Sequence, residues 1–369
     1  MDNEDSGESR EQKESKEKKE IDMPVDTIGD ILKIVETNIY EDQYEYNIDL
    51  KALHNIQEEL AQLNAIIGME KVKKSILQQM IYFIQNLHIP NITETSTSSD
   101  IDIPKKNYII ANDYKHTIIS GPPGTGKTEI AKIIGKMYSK LGILKNNIFR
   151  KVTRNDLVAG YLGQTAIKTK KVIEECIGGV LFIDEAYSLG LDDAFSKECV
   201  DTLCEALSDH RDDLMVIVAG YDMELRDTFF RINQGMQSRF MWKFVIDKYD
   251  SLELMDILYK KIRENGWEFS FPLENTEETM ESGENTRKEE KERKEWFKKN
   301  KNHFPNYGRD MELLFSYMKI SHAQRIFGKE KNLRKKLTKE DLENGMILFL
   351  QNKKENGSNN NTTPMGMYI

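Results

Sequence analysis

The chain has 369 residues, with Lys+Arg 53 against Asp+Glu 62 and a formal net charge of -9, which argues against a surface built mainly to hold nucleic acid. Its three cysteines, Cys176, Cys199 and Cys204, lack CxxC spacing and suitably placed histidines, so they read as reduced, mostly buried thiols and exclude a disulfide framework or zinc site. No apolar stretch is long enough for a membrane span and the acidic N-terminus has no signal-peptide pattern, so a cytoplasmic protein without membrane association is expected. In chain order, residues 1–25 form a Glu, Lys and Ser mixture without a core pattern and read as a disordered tail, followed by an N-terminal helical extension over 26–57. Helical periodicity covers 50–63 and 71–87, with Ile66-Ile67-Gly68-Met69 between them, and 93–100 reads as a mobile polar loop. Strands are predicted at 116–120, 148–152, 180–183, 214–219 and 242–246, with helices after 127 and over 195–209. Repeated strand-helix units imply a parallel sheet covered on both faces.

From Ser251 onward the pattern is all-helical, with Met311, Leu314, Phe315 and Met318 on one apolar stripe. The change sets a boundary between a large α/β domain over 58–250 and a small helical domain over 251–352. Within the latter, about 274–301 is dense in Glu and Lys and reads as a solvated, partly helical insertion, while 353–369 reads as a disordered Asn-rich tail.

Two motifs carry chemistry. Gly121-Pro122-Pro123-Gly124-Thr125-Gly126-Lys127-Thr128 fits the phosphate-binding pattern GxxxxGK[ST], between the predicted strand and a helix whose apolar face is Ile130, Ile133, Ile134, Met137, Tyr138 and Leu141. The glycines let backbone N–H groups curl around a phosphate at a helix N-terminus, Lys127 reaches the β- and γ-phosphates, and the Thr128 hydroxyl ligates Mg2+. Glu129, at the loop-helix junction, is counted with the nucleotide site. Further on, the apolar run Val180-Leu-Phe-Ile ends in Asp184-Glu185, the pattern of a central strand that delivers acids to its carboxyl edge. Asp184 is expected to hold Mg2+ through water, and Glu185 to polarise the attacking water.

With these motifs in order, the chain resembles the AAA+ ATPases, and more narrowly the group typified by CbbX, the red-type Rubisco activase, and stage V sporulation protein K. The resemblance covers about residues 58–350, and is strongest from Val152 to Ala166, from Gly179 to Leu189, at Ala219-Gly-Tyr221, and at Gln237-Ser-Arg239-Phe240. It implies a three-layer α/β sandwich with a parallel sheet and phosphate loop, a small helical lid, a homo-hexameric ring with ATP between subunits, and a central pore that grips a protein chain. Carried over residue by residue, it places Ile67 and Gly68 near the adenine, makes Arg239 the arginine that enters the neighbouring subunit's site, and makes Arg309 the sensor arginine of the lid. Tyr161-Leu162-Gly163 matches the first pore loop, although a Tyr on a buried turn is the commoner setting of such a tripeptide. Tyr221 stands where many relatives place an Asn or Thr to orient water, and its larger ring leaves that sensor role open.

Two functions compete at this point. A protein remodeller would use Tyr161 on a polypeptide of unknown identity. A nucleic-acid motor or loader would use Lys168, Lys170 and Lys171 beside the same loop. The pore aromatic favours the first, and nucleic acid is not the expected partner.

Overall fold

The computed structural model describes residues 16–89, 113–161, 163–270 and 282–359, without the side chains of 282–289 and 355–359. Its strands are β1 (Glu17–Lys19), β2 (Tyr44–Tyr46), β3 (Thr117–Ser120), β4 (Phe149–Val152), β5 (Val180–Ile183), β6 (Met215–Gly220), β7 (Trp242–Val245), β8 (Glu268–Phe269) and β9 (Lys336–Leu337). Five of them form one parallel sheet in the order β4-β5-β6-β3-β7. β3, β5 and β6 are buried at every position, which is why β5 and β6 are continuous apolar runs, while β3 sets Ile118 and Ile119 between a buried Thr117 and Ser120.

Side chains alternate across this sheet. Ile119, Val180, Phe182, Ile217 and Ala219 face one layer, which includes the helices Glu70–Ile84 and Lys127–Lys140. Ile118, Leu181, Ile183, Val216 and Val218 face the other, with Thr165–Glu174 and Ala194–Asp209. The expected three-layer α/β sandwich is therefore present. Its strand order brings the carboxyl ends of β5, β6 and β3 side by side, where the two sequence motifs converge. After β7 the chain is helical, with Ser251–Glu264, Ser282–Asn300, Gly308–Arg325 and Lys339–Asn359 packed around Leu254, Leu258, Met311, Leu314 and Phe349. The small β8-β9 pair is the exception to its all-helical pattern.

Several sequence expectations need correction. The helix expected over 50–63 is two, Leu50–Asn55 and Gln57–Asn64, because Ile56 leaves helical geometry at φ -105, ψ 10. The second helix is Glu70–Ile84, shorter than 71–87 at its end. The charged tail does not extend to residue 25, since Glu17–Lys19 pairs in parallel with Tyr44–Tyr46 and Lys19 reaches over the Tyr44 ring. The N-terminal extension holds the helices Ile28–Thr37 and Leu50–Asn55 but also the strand β2, and its Ile28, Ile31, Val35 and Leu53 share the core of Ile119 and Phe182. At the other end, the helix Lys339–Asn359 runs past residue 353, where Lys353 Nζ donates to His303 O at 2.7 Å. The Glu- and Lys-rich insertion contributes to the core, with Phe297 buried and Trp296 packed against the same cluster. Residues 1–15, the predicted loop 93–100 and 360–369 lie outside the described residues.

All three cysteines are buried, and burial pushes the Cys176 and Cys199 thiols up to about 11. No helix among the described residues is long and apolar enough to cross a membrane.

His116, at the entrance to β3, is wholly buried, with Nε2 3.3 Å from Leu207 O and Nδ1 accepting from Val216 N at 3.0 Å. Burial, only partly offset by the Leu207 carbonyl, lowers its pKa from 6.5 to about 3. Between those values the unfolded chain binds a proton that the folded chain refuses. Stability should therefore fall as the pH drops through about 6.5, by up to about 1.4 kcal/mol per pH unit from this residue. His116→Gln keeps one donor and one acceptor, and urea midpoints measured between about pH 4.5 and 7.5 should show a flatter slope for it. An unaltered slope would mean that His116 does not carry the acid sensitivity.

Candidate active site

The phosphate loop leaves β3 at Ser120, and Gly121 N donates to Gly220 O at 3.1 Å, tying the loop to the end of β6. Thr125 Oγ1 closes the loop on Pro122 O at 2.8 Å. Gly124 has φ +70, and a Cβ there would lie 2.0 Å from Asn306 O, so no other residue fits without separating the loop from the helical part. Gly126 caps the helix Lys127–Lys140, which directs the N–H groups of its first turn at the loop. Lys127 Nζ donates to the loop's own carbonyls, Gly121 O at 2.9 Å and Pro122 O at 2.7 Å. Burial lowers its pKa, Asp184 opposes that, Arg309 adds to the lowering, and Glu185 opposes it again.

Two adjoining cavities, of about 570 and 400 Å³, share Gly124, Thr125, Gly126, Glu129 and Arg309. The larger has an apolar wall of Ile66, Ile67, Met69, Tyr249 and Ile257, suited to a flat aromatic base. Ile67 is thus where expected. Gly68 does not line the cavity; its φ is +64 and a Cβ would overlap the Glu253 carboxylate, so it serves the turn before the helix Glu70–Ile84. The smaller cavity collects Pro123, Lys127, Thr128, Asp184, Glu185 and Tyr221 from the predicted set. Lys132, Tyr187 and Gly220 complete its lining.

Asp184 and Glu185 reach one cavity although they are neighbours in sequence, because Glu185 adopts the left-handed conformation φ +53, ψ +43. That conformation costs a non-glycine residue about 1 kcal/mol or more, so the surrounding structure must hold it. Asp184 Oδ1 accepts from Glu185 N at 3.1 Å, and Oδ2 lies 2.6 Å from Lys151 Nζ. The Tyr221 ring lies 5.7 Å from Lys127 Nζ and 5.7 Å from the Tyr187 ring. Burial first, and then Glu185, push the Tyr187 phenol up to about 12.

The donor set fits a nucleotide with a hard cation. A curled glycine loop at a helix start suits a triphosphate, and the Thr128 hydroxyl and Asp184 carboxylate supply oxygen ligands in the same cavity. Among the described residues no group of three or more His, Cys, Asp or Glu forms a cage, so such a cation would complete its shell with phosphate and water.

The two arginines separate. Arg309 lines both cavities, and the preceding Gly308 N donates to Gly124 O at 3.0 Å. Arg239 lines neither, and its Nε donates to Ser208 Oγ at 2.9 Å while its guanidinium also reaches Gly235 O.

Tyr161 is 74% exposed, which removes the buried-turn reading. Gly163 beside it has φ +79 with open space around it, and Leu162 lies outside the described residues. Of the basic neighbours, Lys168 Nζ donates to Asn155 O at 2.6 Å and Val158 O at 2.9 Å, and Lys170 lies 3.6 Å from Glu205.

Sequence reasoning missed Lys151, Tyr187 and Tyr249. The Tyr249 hydroxyl donates to Thr125 O at 3.2 Å, and its ring meets Tyr307 edge-on at 5.8 Å. Its place at the boundary between the α/β and helical patterns was the available signal.

Residues 117–243 match the family described as "ATPase family associated with various cellular activities (AAA)". The chain is 34% identical over 317 residues to a cfxQ-like protein of Acanthamoeba polyphaga mimivirus, covering 85% of this chain and 69% of that protein. The chain belongs to the AAA+ ATPases, of the CbbX and stage V sporulation protein K type. Stage V sporulation protein K of Bacillus subtilis is 34% identical over 244 residues, 64% of this AAA+ chain and 71% of that protein. The ESX-3 secretion system protein EccA3 of Mycobacterium leprae is 35% identical over 211 residues, 56% of this chain and 30% of its own length. Among solved structures, the FIGL-1 AAA domain in complex with ADP overlays with a TM-score of 0.49 at 16% identity, covering 79% of this chain and 88% of that one. As an AAA+ ATPase, this protein binds ATP and is an ATP hydrolase.

Proposed function

We propose that this AAA+ ATPase remodels a protein substrate, acting as a homo-hexameric ring in which 58–250 is the ATPase domain and 251–352 the lid. The observation that carries this reading is Tyr161, an exposed aromatic on a loop with Gly163, next to Lys168 and Lys170, which already contact groups of their own chain. An aromatic ring grips extended polypeptide without demanding a particular sequence. Lys168 and Lys170, committed to local carbonyls and a carboxylate, favour a nucleic-acid backbone less.

In the chemistry we propose, Lys127 exchanges the Gly121 and Pro122 carbonyls for the β- and γ-phosphates. Thr128 and Asp184 would hold Mg2+, which would neutralise phosphate charge when bound. Glu185, directed into the same cavity by its left-handed backbone, takes the proton of the attacking water. Tyr221 supports the water with its hydroxyl. Arg309 contacts the γ-phosphate from the lid, while Arg239, outside its own cavities, acts on the neighbouring subunit's ATP.

Three measurements check these roles. Lys127→Ala should abolish ATP binding, whereas Glu185→Gln should bind normally and turn over roughly a hundredfold slower or worse. Parent-rate hydrolysis by Glu185→Gln would remove its role as base.

Arg239→Ala should keep ATP affinity and lose about a thousandfold in rate if it acts at full arginine-finger strength. Mixing it with Lys127→Ala protein should restore part of the activity at mixed interfaces. Mixed rings without rescue would place Arg239 outside the chemistry, and a strictly monomeric protein with ATP and Mg2+ would end the ring reading.

Tyr161→Ala should keep basal ATPase activity within about threefold and lose stimulation by a substrate captured with the Glu185→Gln form. DNA-stimulated, salt-sensitive activity that disappears on changing Lys168, Lys170 and Lys171 to Ala, and survives Tyr161→Ala, would instead make this a nucleic-acid motor.

A further inference from the structure

Both oxygens of Asp184 are engaged within the chain. Oδ1 accepts the Glu185 N–H at 3.1 Å, and Oδ2 lies 2.6 Å from the Lys151 ammonium. The contact follows from strand register: β4 and β5 pair in parallel with Val152 opposite Ile183, and Asp184 N continues the ladder to Val152 O at 2.9 Å. Lys151 and Asp184 therefore meet at the carboxyl edge of adjacent strands, beside the cavity that holds Thr128 and Glu185.

The Lys151 side chain is 47% exposed and that of Asp184 21%, so the ammonium has an open route into water. Pairs with this exposure add little to folding stability, and both partners can exchange. A divalent cation approaching Oδ2, directly or through one water, must displace Lys151 or sit beside its positive charge. The sign of either effect is the same: Lys151 opposes cation binding.

We propose that Lys151 is a displaceable counter-ion of Asp184 that competes with the divalent cation and sets the cation concentration at which the site fills. The inference rests on the reading of Asp184 as a cation-holding carboxylate. It makes Lys151 a positioning residue, acting through Asp184 and not on the nucleotide itself.

The test is binding, measured without turnover. With the full chain and ADP present, Mn2+ affinity is read by electron paramagnetic resonance, and the Mg2+ dependence of fluorescently labelled ADP binding by titration. Lys151→Met should fill at about three- to tenfold lower Mn2+ and Mg2+, while Lys151→Arg, which keeps the charge, should stay within about twofold of the parent. Labelled-ADP binding in EDTA should be the same in all three proteins. If Lys151→Met fails to fold, Lys151→Gln replaces it with the same expectation.

Unchanged or weaker cation affinity in a folded Lys151→Met protein would overturn the role of Lys151 alone. Asp184→Asn separates the two readings, since it should weaken Mn2+ binding strongly. Parent-like Mn2+ affinity in Asp184→Asn would remove the reading of Asp184 and this inference with it.

Discussion

Two carbonyls of the phosphate loop are held from the helical part of the molecule and the boundary that leads into it. Gly124 O accepts from Gly308 N at 3.0 Å and Thr125 O from the Tyr249 hydroxyl at 3.2 Å. The loop's curl, on which any phosphate contact depends, is thereby tied to the turn Asn306–Arg309. Gly124 leaves no room for a side chain against Asn306, and Tyr307 in that turn is held at φ +45, ψ -113. Each hydrogen bond is worth about 1 kcal/mol net. That is enough to align the loop with Arg309, and small enough for a tightly bound ligand to reverse.

The cavity beside this junction is organised by contacts that can be exchanged. Lys127 satisfies its ammonium on two loop carbonyls, and Asp184 satisfies a carboxylate oxygen on Lys151. Burial disfavours a charged Lys127, and the nearby carboxylates only partly offset this. A polyanion would supply what that ammonium lacks. Glu185, by contrast, is fixed by its backbone, and its left-handed conformation is the strained feature that turns two adjacent acids toward one space.

What could be read in advance follows from how local each signal is. The phosphate loop was legible because its backbone geometry is written in fixed glycine spacing, and β5 and β6 because strands buried on both faces must be apolar throughout. Asp184-Glu185 followed from the end of such a run. Lys151 was not legible, because its contact depends on which strand lies beside β5 and in which register. Nor was the Tyr249 bond to Thr125, which joins residues far apart in the chain. Trp296 and Phe297 were hidden by the Glu and Lys around them, although two adjacent aromatics in a charged helix are the mark of a face that turns inward. The strand Glu17–Lys19 gave no signal, since three consecutive charged residues carry no apolar alternation.

Arg239 has a structural link to the phosphate loop that its distance from the cavities conceals. Its Nε donates to Ser208, the Ser208 hydroxyl lies 3.5 Å from the Tyr114 hydroxyl, and the preceding Leu207 carbonyl meets buried His116. Tyr114 and His116 lead directly into β3, whose opposite end is Ser120 at the mouth of the loop. Four residues of extended strand span about 13 Å. These four are wholly buried, paired on both sides with β6 and β7, and have little freedom to bend. β3 therefore connects the residues that meet Ser208 and Leu207 directly to Gly121. The same strand that presents the phosphate loop also braces the helix end that holds Arg239, so one element positions both arms of the proposed chemistry.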